Sequence, residues 1–230
     1  MTKRARRGKR NKRQTNWNLI IGISVASILL FVGLLWLAFR EPPAFNLALY
    51  CENNPGNCIV EGPADAPMTI VEVSDYGCSH CGTFNLETAP QIQDTYIDTN
   101  QIRWITVPYA LSGATGYPTM NTAVAALCAN EQDKFREFHE VAFTQQNTPQ
   151  FNTRQGFDEI ATFTDMDVDA FNSCMDNSFA AYQQIVLENI QAASSAGVTG
   201  TPTFFLNGNP ISGAQPFPVF QQRIDAALGS

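Results

Sequence analysis

Tyr76-Gly77-Cys78-Ser79-His80-Cys81 is the stretch of sequence that decides the fold. Residues 68–73 before it alternate in character and are rich in β-branched side chains, which predicts a strand. Residues 84–97 after it have a helical pattern, and residues 102–107 predict a second short strand. The two cysteines are therefore predicted to lie where a buried strand passes into a helix, within a strand–helix–strand unit.

Cys78 is predicted at the amino-terminal end of this helix, a position that favours its thiolate. Free N–H groups and the helix dipole attract negative charge there, and cysteines so placed ionise more readily than free cysteine. We expect Cys78 to be largely thiolate at neutral pH, with His80 between the thiols as a further stabiliser of the anion. Because a stabilised thiolate makes the disulfide more oxidising, the motif favours donating disulfides.

Cys81 lies one helical turn further along and is predicted to be the less exposed, resolving thiol. Glu72 stands six residues before Cys78, and the strand's alternation places it on a different face from Val71 and Val73. A carboxylate beneath the thiol pair would be able to shuttle the proton of Cys81. The alternative is an ordinary solvent-facing acid on a half-buried strand.

The Cys-x-x-Cys pair has two further interpretations, a half zinc site and a structural bridge. A zinc site needs four ligands, whereas the other four cysteines are widely spaced and His139 is the only spare histidine. A bridge that closes four residues constrains the unfolded chain little. We therefore predict a redox-active pair with no metal and no bound cofactor, and we interpret His139, with Phe135 and Phe138, as helix packing.

The Thr201-Pro202 step is predicted to be the second part of the site. It follows Gly197-Val198-Thr199-Gly200 and enters a strand, where an X-Pro bond is a plausible cis proline. A cis bond would leave the Thr201 backbone free at the mouth of the site to bind an extended substrate as an added strand. The alternative is a trans proline that starts an edge strand. We also assign Tyr76 to the substrate-binding surface.

The amino-terminal part of the chain has the pattern of a membrane anchor. Eight of the fourteen basic residues precede position 14, and the apolar run 19–39 has the 21 residues that a span requires. This pattern predicts a basic cytoplasmic tail over residues 1–16 and a transmembrane anchor over 17–39, with the rest of the chain outside the cytoplasm. A cleaved signal peptide and a buried core helix are the alternatives.

The remainder of the chain is acidic. Residues 41–230 carry five basic and twenty-one acidic side chains, which argues against nucleic acid and anionic membrane surfaces as partners. All six cysteines follow the predicted span. An even cysteine count suits the space outside the cytoplasm, where disulfides persist.

The order of predicted elements defines the domain organisation. Residues 40–65 are rich in Pro, Asn and Gly and predict a linker with a small loop between Cys51 and Cys58. The α/β pattern of the domain, 66–230, is interrupted by a helical insertion over about 115–197 and resumes with strand 203–206, an Asn207-Gly208 turn and a last helix. This order predicts an α/β thioredoxin fold with an inserted helical domain, preceded by one transmembrane helix.

These segments resemble the DsbA-like family of thioredoxin-fold disulfide oxidoreductases, especially its membrane-anchored bacterial branch. The matching residues are 66–81, 128–135, 171–174 and 197–205, in the same order along the chain. Ser79 stands where strongly oxidising relatives often have proline, which leaves the redox potential open.

The resemblance implies roles for individual residues. Cys78 would be the attacking thiol, Cys81 the resolving thiol, Glu72 the buried carboxylate, and Thr201 with Pro202 the peptide-binding loop.

The resemblance also implies a disulfide between Cys128 and Cys174 in the insertion. Chain entropy would give this bridge, which closes 47 residues, roughly 4 kcal/mol, and a Cys51–Cys58 bridge, which closes eight, about 2.5 kcal/mol. We predict both as structural disulfides. The alternative for Cys51 and Cys58 is a redox relay that exchanges electrons with Cys78.

The leading functional hypothesis is an extracytoplasmic oxidase held at the cell membrane by its own helix. The Cys78–Cys81 disulfide would pass to cysteines of exported proteins, and a membrane quinone-linked protein would reoxidise the pair. One alternative is a reductase or isomerase kept reduced by a membrane donor, and another is a non-catalytic peptide-binding chaperone.

Overall fold

The structure of the chain is a computed structural model that describes residues 46–114 and 116–229, together with the isolated positions 21, 27 and 30. The predicted cytoplasmic tail and nearly all of the predicted anchor lie outside these residues. Within the described part of the chain, no helix is long and apolar enough to cross a membrane.

A five-stranded sheet forms the centre of the domain, with strand order β1-β3-β2-β4-β5. β2 and β3 are parallel, and the other neighbouring pairs are antiparallel. β2 is the middle strand and is buried along almost its whole length. This burial explains why its sequence is so rich in apolar side chains. The strands are β1 (Ile59–Glu61), β2 (Met68–Asp75), β3 (Ile102–Tyr109), β4 (Thr203–Leu206) and β5 (Asn209–Ser212).

The helical stretch between β2 and β3 is irregular. It consists of α2 (Ser79–Thr83), a π-helical turn (Phe84–Thr88), α3 (Ala89–Ile92) and a second π-helical turn (Gln93–Ile97). Pro90 has no N–H to donate and its ring crowds the preceding turn, which accounts for the interrupted α-helical ladder. Phe84 packs with Phe204 and Phe220, at ring-centroid distances of 4.4 and 5.3 Å, and so holds α2 against the sheet.

Five helices between β3 and β4 confirm the predicted helical insertion. α4 is buried at nine of its eleven positions, because the other helices of the insertion and the sheet surround it. Phe138, Phe143 and Phe171, from other helices of the insertion, are among the fully buried side chains. The helices are α4 (Met120–Asn130), α5 (Phe135–Thr144), α6 (Arg154–Phe163), α7 (Val168–Asn177) and α8 (Phe179–Ser195).

The carboxy-terminal hairpin and helix also follow the prediction. Asn207 and Gly208, between β4 and β5, have φ values of 45° and 83°, the left-handed conformation that a tight hairpin turn requires. The last helix, α9 (Phe217–Leu228), ends at Gly229 with φ 77°. These residues form the α/β thioredoxin-like fold with its helical insertion.

The described part of the segment predicted as a linker, 40–65, has regular secondary structure, which the prediction did not include. Residues 47–61 contain α1 (Leu47–Asn53) and β1, which pairs antiparallel with β3. Leu47 and Ile59 are each 2% exposed and belong to the core. The Asn-Pro-Gly-Asn cluster at 54–57 is a turn between a helix and a strand, so the prediction of a linker was wrong here.

Candidate active site

The Cys78–Cys81 pair lies where β2 ends and α2 begins, as predicted. Cys78 is the residue that precedes the first turn of α2, its backbone is extended, and its N–H donates to Asp75 O at 3.0 Å. Cys78 is partly exposed, whereas Cys81 is completely buried, and neither is bonded to another cysteine. Burial raises the pKa of the Cys81 thiol, so the inner sulfur favours its protonated form.

The Thr201–Pro202 loop lies beside Cys78. The Thr201–Pro202 peptide bond is cis. Cys78 Sγ donates to the carbonyl oxygen of Thr201 at 3.4 Å, although the two residues are 123 positions apart. The antiparallel pairing of β2 with β4, in which Val73 is opposite Thr203, brings them together.

Glu72, on β2, is only 1% exposed, so it is not a solvent-facing acid. Its carboxylate accepts hydrogen bonds from the Ser74 hydroxyl, from Asn85 Nδ2 at 3.0 Å and from Trp104 Nε1 at 3.1 Å. Burial raises the pKa of the Glu72 carboxyl, and the three donors oppose this rise. Glu72 is therefore able to hold a proton at a higher pH than an exposed glutamate does.

Asn85 and His139 extend this buried network and were missed as site residues. Asn85 Nδ2 donates to Cys81 O at 3.1 Å as well as to Glu72, and His139 Nε2 lies 3.0 Å from Asn85 Oδ1. His139 Nδ1 lies 2.7 Å from the Tyr76 hydroxyl. One tautomer satisfies every contact: Tyr76 donates to Nδ1, and Nε2–H donates to Asn85.

His139 also packs among aromatic rings, as the sequence suggested. Its ring centroid lies 4.8 Å from that of Phe135 and 4.9 Å from that of Phe143. Burial lowers the pKa of His139 to about 3, which keeps the imidazole neutral at ordinary pH. Asn85 lies four residues after Cys81 on the same helical face, a spacing that would have pointed to it; His139 comes from the distant α5.

A pocket of about 270 Å³ connects this network with the surface. Glu72, Asn85 and His139 line its inner end, and Glu61 and Arg136, which form a 2.7 Å ion pair, lie among its other lining residues. Polar and apolar side chains both line the pocket, which is large enough for water. Glu72 therefore borders a space that is able to hold water.

The structure changes the interpretation of Tyr76 and leaves His80 in the predicted place. The Tyr76 side chain is 4% exposed and stacks on Phe143 at 4.8 Å. A ring this deeply buried cannot contact a substrate peptide, so its assignment to the substrate-binding surface was wrong. His80 is exposed on the first turn of α2.

Asp75 fixes the loop that leads into Cys78 and was also missed. Its carboxylate accepts from Gly77 N at 2.7 Å, from Leu111 N at 2.9 Å and from the Thr119 hydroxyl. An aspartate that bonds the backbone two residues on is typical of a turn. The position of this acid directly before the Tyr76–Cys81 motif is the sequence feature that could have indicated its role.

The other four cysteines form two disulfides. Cys128 on α4 is bonded to Cys174 on α7, and Cys51 on α1 is bonded to Cys58 just before β1. In the described residues, no group of three or more His, Cys, Asp or Glu side chains is placed to hold a metal ion.

The comparisons with known proteins agree with this geometry. A thioredoxin family model matches residues 54–226, so the chain belongs to the thioredoxin family. Its fold, with the helical insertion, is the DsbA-like form: the crystal structure of alpha-DsbA1 from Wolbachia pipientis superposes with a TM-score of 0.63 at 24% identity, covering 75% of this chain and 92% of that one.

Two relatives that are similar to this chain in sequence are named for different activities. Disulfide bond formation protein D of Bacillus subtilis is 27% identical, with 74% of this chain and 76% of that protein covered. Na(+)/H(+) antiporter NhaA 1 of Salinispora arenicola is 28% identical over 90% of this chain. The match spans only 31% of the antiporter's length.

Proposed function

We propose that this chain is a membrane-anchored thiol:disulfide oxidoreductase that introduces disulfides into exported proteins through Cys78 and Cys81. The observation that carries the proposal is the partly exposed Cys78 at the start of α2, with its sulfur 3.4 Å from the Thr201 carbonyl. This arrangement offers one accessible sulfur beside a backbone segment that is able to bind an extended peptide.

The exchange takes place in two steps. A substrate thiolate attacks Cys78 Sγ, the bond between the two enzyme sulfurs breaks, and its electron pair leaves on Cys81. A second substrate thiolate then attacks the substrate sulfur of the mixed disulfide, and Cys78 leaves as a thiolate. The substrate loses two electrons, which the enzyme pair gains.

Glu72 supplies the proton that Cys81 needs in the first step. Cys81 leaves in a buried site where the thiol is favoured over the thiolate. Glu72 retains a proton above its ordinary range, and Asn85 joins its carboxylate to the Cys81 backbone. A water bound in the pocket would complete the route and allow Glu72 to be reprotonated from solvent.

The extracytoplasmic location is supported by the amino-terminal sequence. Eight cations before position 14 and an apolar run of 21 residues favour an anchor with a cytoplasmic amino end. The domain would then face the space in which exported proteins acquire disulfides. A quinone-linked membrane protein would reoxidise the Cys78–Cys81 pair at the same membrane.

Cys128–Cys174 and Cys51–Cys58 have structural roles in this proposal. Each bond ties two elements of the domain together. We expect a Cys51→Ser/Cys58→Ser variant to retain exchange activity within about twofold, as a bond outside the catalytic cycle should. A loss of turnover with Cys78 still reactive would instead favour a redox relay.

Trapping of mixed disulfides tests the proposal in cells. A Cys81→Ala variant cannot form the Cys78–Cys81 disulfide, but its Cys78 thiolate still attacks the disulfide of an oxidised substrate and expels one substrate thiolate. No Cys81 thiol is present to release the mixed disulfide, so substrates remain attached to Cys78, and mass spectrometry identifies them. Exported cysteine-containing proteins are expected. A Cys78→Ser/Cys81→Ala variant is the control and should capture none. Recovery of a single electron-transfer protein, with no exported substrate, would contradict the proposal.

The direction of exchange requires a separate measurement, because Ser79 departs from the sequence of strongly oxidising relatives. The purified chain is equilibrated with glutathione buffers and the fraction of reduced pair is measured. An oxidase should give a potential well above the roughly −270 mV of thioredoxin. A value near −270 mV would favour a reductase or isomerase.

A further inference from the structure

We propose that Gln146 is a positioning residue of the redox site, and that glycine at position 82 leaves room for its side-chain amide. This inference rests on the proposed function and adds a residue from the helical insertion to the same site. Gln146 lies in the connection between α5 and α6, 68 positions from Cys78 in sequence.

The side-chain amide of Gln146 holds the loop that enters α2. Its Nε2 donates to the carbonyl oxygen of Tyr76 at 2.6 Å and to the carbonyl oxygen of Cys78 at 2.9 Å. A primary amide has two N–H groups, so it serves both carbonyls at once. These carbonyls lie on either side of Gly77, and a single side chain therefore fixes the backbone before and after it.

The Cys78 carbonyl is also the first acceptor of α2. It accepts the N–H of Gly82 at 3.0 Å, and Cys78 has no side-chain hydrogen bond that would cap the helix. Gln146 thus holds the peptide plane between Cys78 and Ser79 from outside the helix. The N–H groups that stabilise a thiolate at a helix start belong to this peptide plane and to the following peptide planes of the first turn.

Gly82 gives a second, independent observation. It is buried inside α2, where glycine is a poor helix former, and its φ is not left-handed. A Cβ at this position would overlap Gln146 Oε1 and lie 3.0 Å from Gln146 Cδ. The backbone conformation therefore does not explain the glycine at position 82, whereas the nearby Gln146 amide does.

A simple packing role for Gln146 makes a different prediction from a positioning role. Packing alone would change the midpoint of thermal unfolding and leave the chemistry of the thiol pair unchanged. Positioning requires that loss of the amide shift the equilibrium between the dithiol and the disulfide. The thiolate would be less stabilised, so the pair would become less oxidising.

A double-mutant cycle on the full chain tests the proposal. Gln146→Ala, Gly82→Ala and the double variant are equilibrated with glutathione. Gln146→Ala should shift the equilibrium constant about fivefold toward the disulfide, the factor that one net hydrogen bond is worth. Gly82→Ala should give a shift in the same direction. In the Gln146→Ala background, Gly82→Ala should add less than a twofold change, because the group that it would displace is gone.

Gln155→Ala is the matched control, since Gln155 is an exposed glutamine of the same insertion that bonds Glu159. It should behave like the wild type, and circular dichroism confirms that each variant folds. A Gln146→Ala equilibrium constant within twofold of the wild type would overturn the proposal, as would equal effects of Gly82→Ala in both backgrounds. The glutathione equilibrium needs no protein substrate, so failure of the wild type to oxidise one would contradict the proposed function and leave this test intact.

Discussion

The two thiols of the redox pair are three residues apart and have very different surroundings. Cys78 is partly exposed, beside the Thr201 carbonyl and the exposed His80; these residues form the outer side of the site. Cys81 is completely buried, next to the hydrogen-bonded Asn85, Glu72 and His139, which form the inner side.

The contrast suggests a division of labour. Of the two sulfurs, only the outer one is exposed, whereas Glu72, Asn85 and His139 of the inner side border the pocket. Substitutions on the outer side should therefore alter the equilibrium with thiols. Substitutions on the inner side should alter proton delivery and stability.

The largest effect is expected for Glu72→Gln on the inner side. The amide is nearly the same size but cannot deliver a proton to Cys81. A group that acts as a general acid contributes roughly 10²-fold or more to a rate, so oxidation of a reduced protein should slow about 10²-fold at pH 7. Stopped-flow measurement of a single turnover gives this rate.

Glu61→Gln is the control for this prediction. Glu61 lines the same pocket and pairs with Arg136, and its charge is the smallest of the causes that act on the pKa of Glu72. Its replacement should leave the rate within about twofold of the wild type, as is usual for a partly exposed ion pair. Equal rates for Glu72→Gln and the wild type would show that Glu72 does not deliver the proton to Cys81.

Much of this contrast was readable in the sequence. The Cys-x-x-Cys pair after a β-branched strand placed both thiols at a helix start, and strand alternation put Glu72 opposite Val71 and Val73. The Asn207-Gly208 turn fixed the β4–β5 hairpin, because few other dipeptides adopt its left-handed conformation. These are local signals, carried by neighbouring residues.

The parts that sequence reasoning missed depend on distant contacts. His139 meets Asn85 and Tyr76 across 54 and 63 positions, and no local pattern distinguishes it from other residues on a packed helix. Tyr76 was placed on the surface because it is next to the motif, whereas the aromatic cluster of the insertion buries it. β1 is three residues long, too short to give a strand pattern.

The next effect concerns acid stability and His139. In the folded protein its pKa is about 3, against an ordinary value near 6.5. Between these values the unfolded chain binds more protons, so stability must fall as the pH falls. Glu72 acts in the opposite sense, because its pKa is raised in the folded protein. Its contribution to stability is lost as the pH rises above the ordinary pKa of a glutamate.

His139→Gln isolates the histidine contribution, because glutamine retains a donor and an acceptor and does not titrate. Between pH 6 and pH 4 the wild type should lose up to about 1.4 kcal/mol more per pH unit than the variant. Urea unfolding at several pH values gives both curves. Parallel curves would show that the imidazole is not held neutral.

A smaller effect is expected for His80→Ala on the outer side. His80 is exposed, and solvent limits the interaction of its charge or N–H with the Cys78 thiolate to about 1 kcal/mol. The glutathione equilibrium should therefore shift about fivefold toward the disulfide, with the unfolding free energy nearly unchanged. A lower free energy of unfolding with an unchanged glutathione equilibrium would contradict this prediction. His80 would then stabilise the fold and not the Cys78 thiolate.

The smallest effect is expected for Tyr76→Phe, which removes only the hydroxyl that contacts His139 Nδ1 at 2.7 Å. The ring keeps its stacking on Phe143, so stability should fall by about 1 kcal/mol, the net worth of one hydrogen bond. The rate of substrate oxidation should stay within about twofold, because Asn85 still bonds Glu72 and Cys81 directly. A tenfold slower rate would instead mean that the inner network acts on the reaction as one unit, from the Tyr76 hydroxyl through His139 and Asn85 to Glu72.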